Sequence, residues 1–166
     1  WWLFWIQYER INVVLLSTNR NYRKLVEQAK IFKAKNVIIK DSKYFKIVKK
    51  KLSRNKVNVF CGEKSLSKII SGKIDYTMSA IVGIAGLKPS IEAIKFSRAV
   101  AIANKESIIC GWNLISKNLK KYKTKLIPVD SEHFSIMELS QNCSDDEVEE
   151  VIITASGGPF LNKPIA

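Results

Sequence analysis

The sequence predicts an α/β fold with a Rossmann-like parallel sheet, because short β-branched runs alternate with helical stretches from Ile11 onward. Size and composition agree with this class, since 166 residues make about one domain and 46% of them are hydrophobic, which is enough to fill a core. The three cysteines are odd in number and show no CxxC spacing. Neither a disulfide framework nor a zinc site is therefore expected.

The apolar run 1–6 is too short to cross a bilayer and lacks the flanking features of a signal peptide. We therefore expect a soluble chain that makes no contact with a membrane, with the cytoplasm as its default location.

The first half of the chain is predicted to contain three strands and three helices. Apolar side chains recur at helical spacing over 22–32, where Leu25, Val26 and Ala29 share one stripe. The same criteria predict strands at 11–16, 37–39 and 57–60, and helices at 22–32, 44–52 and 65–70.

The second half continues the alternation. Residues 81–89 are apolar and rich in glycine, which favours a loop lying close against a ligand over a packed helix. Ser90 is predicted to cap the helix that follows. The pattern predicts strands at 76–80, 99–103, 125–129 and 150–154, helices at 90–96, 106–119 and 131–139, a polar loop at 141–146 and a turn at 156–159.

Ligands of an open parallel sheet bind beyond the carboxyl ends of its strands, so the residues after each strand are candidate site residues. After the first strand, Asn19, Arg20 and Asn21 offer no carboxylate for a ribose hydroxyl, whereas Arg20 with Asn21 suits a 2′-phosphate. A dinucleotide bound here would be NADP rather than NAD. An ordinary polar helix start is the alternative interpretation.

Two further strand ends carry charged residues. Lys105 after the strand 99–103 could hold a phosphate or an enolate-like oxygen, flanked by Asn104 and Glu106, which could orient a cofactor. On these residues alone, a capped helix with surface charges is the favoured interpretation. After the strand 125–129, Asp130 and Glu132 could both bind Mg²⁺ or Mn²⁺, or could be a helix cap and a solvated acid.

The remaining candidates are a histidine and a glycine-rich turn. His133 is the only histidine, and a supporting or structural role is favoured for it over catalysis. After the strand 150–154, Ser156 is followed by two glycines, whose backbone N–H groups could face a phosphate or phosphonate. A plain turn explains the same residues.

Four of these segments, in this order, are similar to the N-terminal part of the 1-deoxy-D-xylulose 5-phosphate reductoisomerase family. They are SAIVGIAGLKPS (79–90), IANKES (102–107), IPVDSEH (127–133) and ITASGGPF (153–160). The resemblance runs from about Tyr8 to the last residue, and residues 1–7 do not match. It implies a partial NADPH-binding domain at 8–129 and the beginning of a catalytic, metal-binding domain at 130–166.

The resemblance implies an enzyme that uses NADPH and Mn²⁺ or Mg²⁺ to rearrange and reduce its phosphosugar substrate to 2-C-methyl-D-erythritol 4-phosphate, in non-mevalonate isoprenoid biosynthesis. The family is a homodimer. The implied roles are cofactor binding by Asn19, Arg20, Asn21, Asn104 and Glu106, substrate binding by Lys105, Ser131, Glu132 and Ser156, metal binding by Asp130 and Glu132, and catalysis by Lys105 and Glu132. Asn19 replaces a glycine common in the family, and we expect it to take the left-handed conformation.

The family's first strand and its GSTGSIG-type turn have no counterpart before Tyr8, and its third metal-binding glutamate, lid and C-terminal domain have none before Ala166. That first strand is central in the sheet, so we expect strands 11–16 and 76–80 to lack a shared neighbour. The 166 residues alone are therefore expected to be marginally stable and inactive.

The formal net charge of +13 allows one alternative, a basic α/β binding module without catalysis that contacts a protein or RNA. The basic residues are 23 lysines and five arginines. Nucleic-acid sites favour arginine, so this ratio favours a general lysine bias and no nucleic-acid partner is expected.

Overall fold

The structure is a computed structural model that describes residues 11–62, 66–129 and 131–152, with residues 131, 132 and 145 described by their backbone only. The chain divides into two compact units, an N-terminal unit, Trp1–Gly72, and a C-terminal unit, Lys73–Ala166. Within the described residues, no helix has the length and apolar character that a membrane span requires.

The N-terminal unit is a three-stranded parallel sheet with helices in its crossovers. Its sheet has the order β1–β2–β3, with Leu16 beside Val37 and Val37 beside Val59. In chain order the elements are β1 (Leu15–Thr18), α1 (Tyr22–Ile31), β2 (Asn36–Ile39), α2 (Phe45–Leu52) and β3 (Asn58–Cys61), with 3₁₀ turns at Ser42–Tyr44 and Leu66–Lys68.

The core of the N-terminal unit lies between its helices and the central strand β2. All four residues of β2 are buried, as a central parallel strand requires. The helices contribute the buried side chains that their spacing predicts, Leu25, Val26 and Ala29 from α1 and Val48 and Leu52 from α2. The alternation of apolar side chains in the sequence therefore places these elements correctly.

The C-terminal unit is a second three-stranded parallel sheet, with the order β4–β5–β6. Its helices α3 and α4 cover one face, because Ile94 of α3 and Ile115 of α4 share a buried cluster with Val100 and Ile102 of β5. In chain order the elements are β4 (Ile74–Ser79), α3 (Leu87–Phe96), β5 (Ser97–Ile102), α4 (Lys105–Tyr122), β6 (Lys125–Pro128) and α5 (Ser131–Ser140), with 3₁₀ turns at Ile84–Gly86 and Asp145–Glu147.

The predicted fold class is confirmed, since both units are parallel sheets whose strands alternate with helices. Among the described residues, β1 and β4 each pair on one side only. The strand predicted at 11–16 begins only at Leu15. For the helix predicted at 65–70, residue 65 lies outside the described residues, and those described form only the 3₁₀ turn Leu66–Lys68.

The prediction that Ser90 caps a helix is wrong. Helix α3 begins at Leu87, so Ser90 lies inside it, and its buried hydroxyl donates to the Gly86 carbonyl at 2.7 Å. Pro89 is compatible with this earlier start, because the backbone N–H groups of a first helical turn have no acceptor within the helix. Proline lacks this N–H group, so no helical hydrogen bond is lost.

The end of the described chain also departs from the sequence prediction. Residues 148–152 form no strand or helix, and residues 153 and 154 of the predicted strand lie outside the described residues, as does the turn at 156–159. At the 3₁₀ turn Asp145–Glu147, the Glu147 carboxylate accepts hydrogen bonds from the backbone N–H and from the hydroxyl of Ser144. These two bonds, the backbone bond more than the hydroxyl bond, hold the pKa of the Glu147 carboxyl below its ordinary value.

Helix α4 ends on a residue in a conformation that favours glycine. Lys123 has φ 52° and ψ 46°, and its N–H bonds the carbonyl of Leu119. We predict that Lys123→Gly raises the free energy of unfolding by about 0.5–1 kcal/mol, because relief of the left-handed strain exceeds the added entropy of the unfolded chain.

Urea unfolding of the chain, followed by circular dichroism, measures this change. The matched control is Lys117→Gly, which places the same substitution at an exposed interior position of α4 and should lower stability by about 0.5–1 kcal/mol. Equal losses in the two variants would contradict the assignment of strain to Lys123.

Candidate functional site at the carboxyl ends of the strands

The carboxyl ends of β4 and β5 open into a cavity of about 350 Å³ in the C-terminal unit. This is the edge at which an open parallel sheet binds ligands. The lining comes from the segments after β4, β5 and β6 and from α4: Ala80, Ile81, Val82, Ile102, Ala103, Asn104, Lys105, Glu106, Ile108 and Val129.

One wall of the cavity belongs to the segment Ile81–Gly86, called the apolar loop below. It carries hydrophobic side chains into solvent, with Val82 88% exposed and Ile84 58% exposed. Gly83 has φ 72° and ψ −174°, a conformation that only glycine adopts without strain. The loop predicted at 81–89 is therefore too long, because residues 87–89 belong to α3, and its first residues, Ile81 and Val82, line the cavity.

Asn104 also lines the cavity, and this residue is almost fully buried at 3% exposure. Its Oδ1 accepts the backbone N–H of Ser107 at 2.8 Å, which caps helix α4. Its Nδ2 donates to the carbonyls of Ile81 and, at 2.6 Å, Gly83. One side chain therefore joins the start of α4 to the apolar loop.

The loop and α4 approach so closely at Gly86 that no side chain fits there. A Cβ atom on Gly86 would lie 2.5 Å from Asn104 Nδ2 and 2.6 Å from the Ile81 carbonyl oxygen. It would also lie 3.3 Å from the Ser107 hydroxyl, which is buried and has no hydrogen-bond partner in the described part of the chain. Gly86 is needed for space rather than for backbone conformation, since its φ is −77°.

A pair of buried hydroxyls holds the far end of the loop. Ser79 at the end of β4 and Ser90 in α3 lie 2.7 Å apart, and Ser90 also donates to the Gly86 carbonyl. Sequence reasoning missed this pair because serine within a helix looks like a surface residue or a cap. The bond to Gly86 could have been found from the sequence, because a serine within a helix can donate its hydroxyl to the carbonyl four residues earlier.

Lys105 and Glu106 both line this cavity. They are the first two residues of α4, and both are exposed at its rim. Glu106 lies in the first turn, where a carboxylate is stabilised by the helix dipole.

The predicted metal and phosphate residues are only partly within the described structure. Ser131 and Glu132 occupy the first two positions of α5, directly after β6, while Asp130 and Ser156 lie outside the described residues. Residues 11–62, 66–129 and 131–152 contain no group of three His, Cys, Asp or Glu side chains that could hold a metal ion. His133 is exposed on α5.

The N-terminal unit has its own candidate site beyond β1, beside a cavity of about 200 Å³ lined in part by Asn21 and Lys24. Asn21 caps α1 by accepting the Lys24 N–H at 3.2 Å. Arg20 lies next to it with its side chain 76% exposed, and its Nε is 3.4 Å from Asp41 Oδ2. This ion pair was not predicted, because Asp41 follows a different strand.

Asn19 does not adopt the left-handed conformation expected of it. Within the described residues, positive φ angles outside glycine occur only at Lys33, Lys56 and Lys123. The Asn19 carbonyl instead accepts the N–H of Asp41 at 3.1 Å, a bond that extends the pairing between the segments after β1 and β2. The segment therefore needs no glycine-like residue at this position.

Protein-family models match two segments of the chain. Residues 6–111 match the family model 1-deoxy-D-xylulose 5-phosphate reductoisomerase, and residues 126–166 match the model of that family's C-terminal domain. The chain belongs to the 1-deoxy-D-xylulose 5-phosphate reductoisomerase family. The resemblance inferred from the four sequence segments is confirmed.

Curated members of the family share this sequence over most of its length. The reductoisomerase of Pelagibacter ubique is 54% identical over 156 residues, which are 93% of this chain and 40% of that protein. The enzyme of Wolbachia pipientis subsp. Culex pipiens is 43% identical over 155 residues, 93% of this chain and 39% of that protein. The chain therefore spans about 40% of the length of these relatives.

Solved reductoisomerases have the same fold. The Zymomonas mobilis enzyme in complex with NADPH superposes with a TM-score of 0.84 at 36% identity, covering 98% of this chain and 43% of that one. A reductoisomerase in complex with NADPH, fosmidomycin and magnesium superposes with a TM-score of 0.67 at 26% identity, covering 75% and 31%. Nothing in these relatives supports the alternative of a basic binding module.

The close approach at Gly86 makes a stability prediction. Gly86→Ala should lower the free energy of unfolding by about 1–3 kcal/mol, because the new methyl group must displace a backbone carbonyl and a buried amide. Thermal unfolding measures the change. Ala85→Ser adds a similar volume at the exposed neighbouring position and serves as the control; a Gly86→Ala variant as stable as this control would show that the loop and α4 are not packed as described.

Proposed function

We propose that this chain supplies the NADPH-binding residues and the first metal-binding residues of a 1-deoxy-D-xylulose 5-phosphate reductoisomerase. The observation that carries the proposal is the cavity at the carboxyl ends of β4 and β5, with Lys105 and Glu106 at its rim, in a chain of this family. The reaction is the rearrangement and NADPH-dependent reduction of 1-deoxy-D-xylulose 5-phosphate to 2-C-methyl-D-erythritol 4-phosphate.

The residues after β1 fit the phosphorylated ribose of NADPH. The stretch from Ser17 to Asn21 contains no carboxylate of its own, and Arg20, paired with Asp41, keeps an exposed side chain beside the helix cap Asn21. Residues 11–62 contain two carboxylates in all, those of Glu27 and Asp41, so this unit favours an anionic ligand. We assign the 2′-phosphate to Arg20 and Asn21, with Asn19 adjacent to them.

The cavity in the C-terminal unit suits the reacting part of the cofactor and the substrate. Ile81 and Val82 give it one apolar wall, from which a bound nicotinamide ring would displace water, and Glu106 gives it a hydrogen-bond acceptor at the rim. Lys105 offers a cation for a developing substrate oxyanion. NADPH, when bound, supplies the hydride that reduces the rearranged aldehyde.

Asp130 and Glu132 are assigned to the divalent cation. A pair of carboxylates with an intervening serine is a hard oxygen donor set, which Mg²⁺ and Mn²⁺ prefer. A bound Mg²⁺ or Mn²⁺ supplies Lewis-acid polarisation of the substrate's oxygens. Ser131 is assigned to the substrate between the two carboxylates, and Ser156 to its phosphate.

The partners and location follow from the same assignment. The substrate is a small phosphosugar, and the solved relatives named above include one in complex with fosmidomycin. We propose a cytoplasmic enzyme that acts as a homodimer and uses no nucleic acid.

A chimera tests the proposed function directly. This chain replaces the matched 156-residue segment of the Pelagibacter ubique reductoisomerase, and the product is called the Pelagibacter chimera below. We predict that it turns over 1-deoxy-D-xylulose 5-phosphate with NADPH and Mg²⁺ or Mn²⁺, whereas the 166-residue chain alone does not. Oxidation of NADPH, followed by its absorbance, measures both reactions.

The unmodified Pelagibacter ubique enzyme is the positive control, and Lys105→Ala in the chimera should abolish turnover because it removes the cation for the substrate oxyanion. A chimera that unfolds at the temperature of the parent enzyme yet has no activity would contradict the proposal.

Substitution of Arg20 tests the choice of cofactor. In the Pelagibacter chimera, Arg20→Gln should raise the KM for NADPH about 10- to 100-fold, because charge-assisted hydrogen bonds to the 2′-phosphate are lost. The KM for NADH should not change, since NADH lacks this phosphate. Arg23→Gln removes a nearby charge that bonds Tyr22 instead, and its effect on either KM should be small; equal effects of the two variants would exclude a specific role of Arg20.

A further inference from the structure

We propose that Asn104 is a positioning residue that holds the apolar loop in place as a preformed wall of the cofactor cavity. The inference rests on the proposed function, because it assigns the wall to NADPH. Asn104 then promotes NADPH binding by fixing the position of the loop, in addition to any contact of its own with the cofactor.

The hydrogen bonds of Asn104 connect segments that are far apart in sequence. The two Nδ2 hydrogens are donated to the carbonyls of Ile81 and Gly83, more than 20 residues earlier, while Oδ1 accepts the N–H of Ser107. A primary amide has two donor hydrogens and one acceptor oxygen. Asn104 therefore uses both of its donors within the protein, and a cofactor contact through Nδ2 would have to share or break a bond to the loop.

The loop depends on this side chain because little else secures its middle. Ile81, Val82 and Ile84 are exposed, and the bonds of Ser79 and Ser90 reach only its far end at Gly86. Burial of Asn104 strengthens its bonds, since water does not compete for the two carbonyls. Ile81 and Val82 are thus presented to the cavity without a large cost of ordering when a ligand binds.

The substitution Asn104→Asp separates the two functions of the side chain. Aspartate keeps an acceptor for Ser107 and is an equally good helix cap, but it has no proton to donate and sets a carboxylate against two carbonyl oxygens. The loop should be released while α4 stays capped. Asn104→Ser makes the same separation without a charge, because serine also caps helices but is too short to bond the loop.

Kinetics of the Pelagibacter chimera give the first readout. Both variants should raise the KM for NADPH about tenfold or more, with less than a twofold change in the KM for 1-deoxy-D-xylulose 5-phosphate. The matched control is Asn118→Asp, which removes an amide bond to the Leu114 carbonyl on the same helix, away from the cavity. It should leave both KM values unchanged.

Hydrogen exchange gives a second readout that needs no activity. In either Asn104 variant, amides in a peptide covering 81–86 should exchange at least about tenfold faster, including the Gly86 N–H that bonds the Gly83 carbonyl. Amides of α4 should exchange as in the parent.

The two readouts keep this inference distinct from the proposed function. If the parent chimera has no activity but its Asn104 variants exchange faster in the loop than the parent does, the structural hold is supported and the proposed function is overturned. Unchanged loop exchange in both folded variants, or a parallel loss of affinity for both substrates, would overturn the role of Asn104.

Discussion

The pairing of β5 between β4 and β6 is the constraint on which the candidate site depends. Parallel strands end at the same edge, so each crossover returns the chain to the amino end and leaves the residues after β4, β5 and β6 together. The crossovers also place α3 and α4 against β5, where Ile94 and Ile115 share a buried cluster with Val100 and Ile102. This packing brings the segments 80–82 and 103–106 together, although they are far apart in the sequence.

Buried polar groups then determine where the loop of the site lies. Desolvating an amide or hydroxyl is costly unless it is hydrogen-bonded, so Asn104, Ser79 and Ser90 can be buried only in the arrangement that satisfies them. Asn104 and Ser90 donate to backbone carbonyls of the loop, and the Ser79 hydroxyl bonds the hydroxyl of Ser90. Packing of the apolar core stabilises the unit, whereas these few polar contacts select one conformation of the cavity wall.

Much of the fold could be predicted from the sequence, because α1 to α4 each bury apolar side chains at helical spacing and the strands are short β-branched runs between them. The cap of α4 by Asn104 and the ends of β5 and β6 are encoded within a few residues, and the sequence identified the strand ends that carry Lys105 and Glu106. The start of α3 was misplaced because local rules treat Ser90 as a cap, whereas its bond partner Ser79 comes from another strand. The pairs Arg20–Asp41 and Asn104–Ile81 were beyond prediction for the same reason, since each joins residues more than 20 positions apart.

A crystal structure of the Pelagibacter chimera with bound NADPH would show which residues hold the cofactor. We expect the 2′-phosphate within hydrogen-bond distance of the Arg20 guanidinium, and the nicotinamide end against Ile81 and Val82, with both Asn104 bonds to the loop intact. NADPH bound away from the ends of β1 and β4, or a loop detached from Asn104, would contradict this expectation.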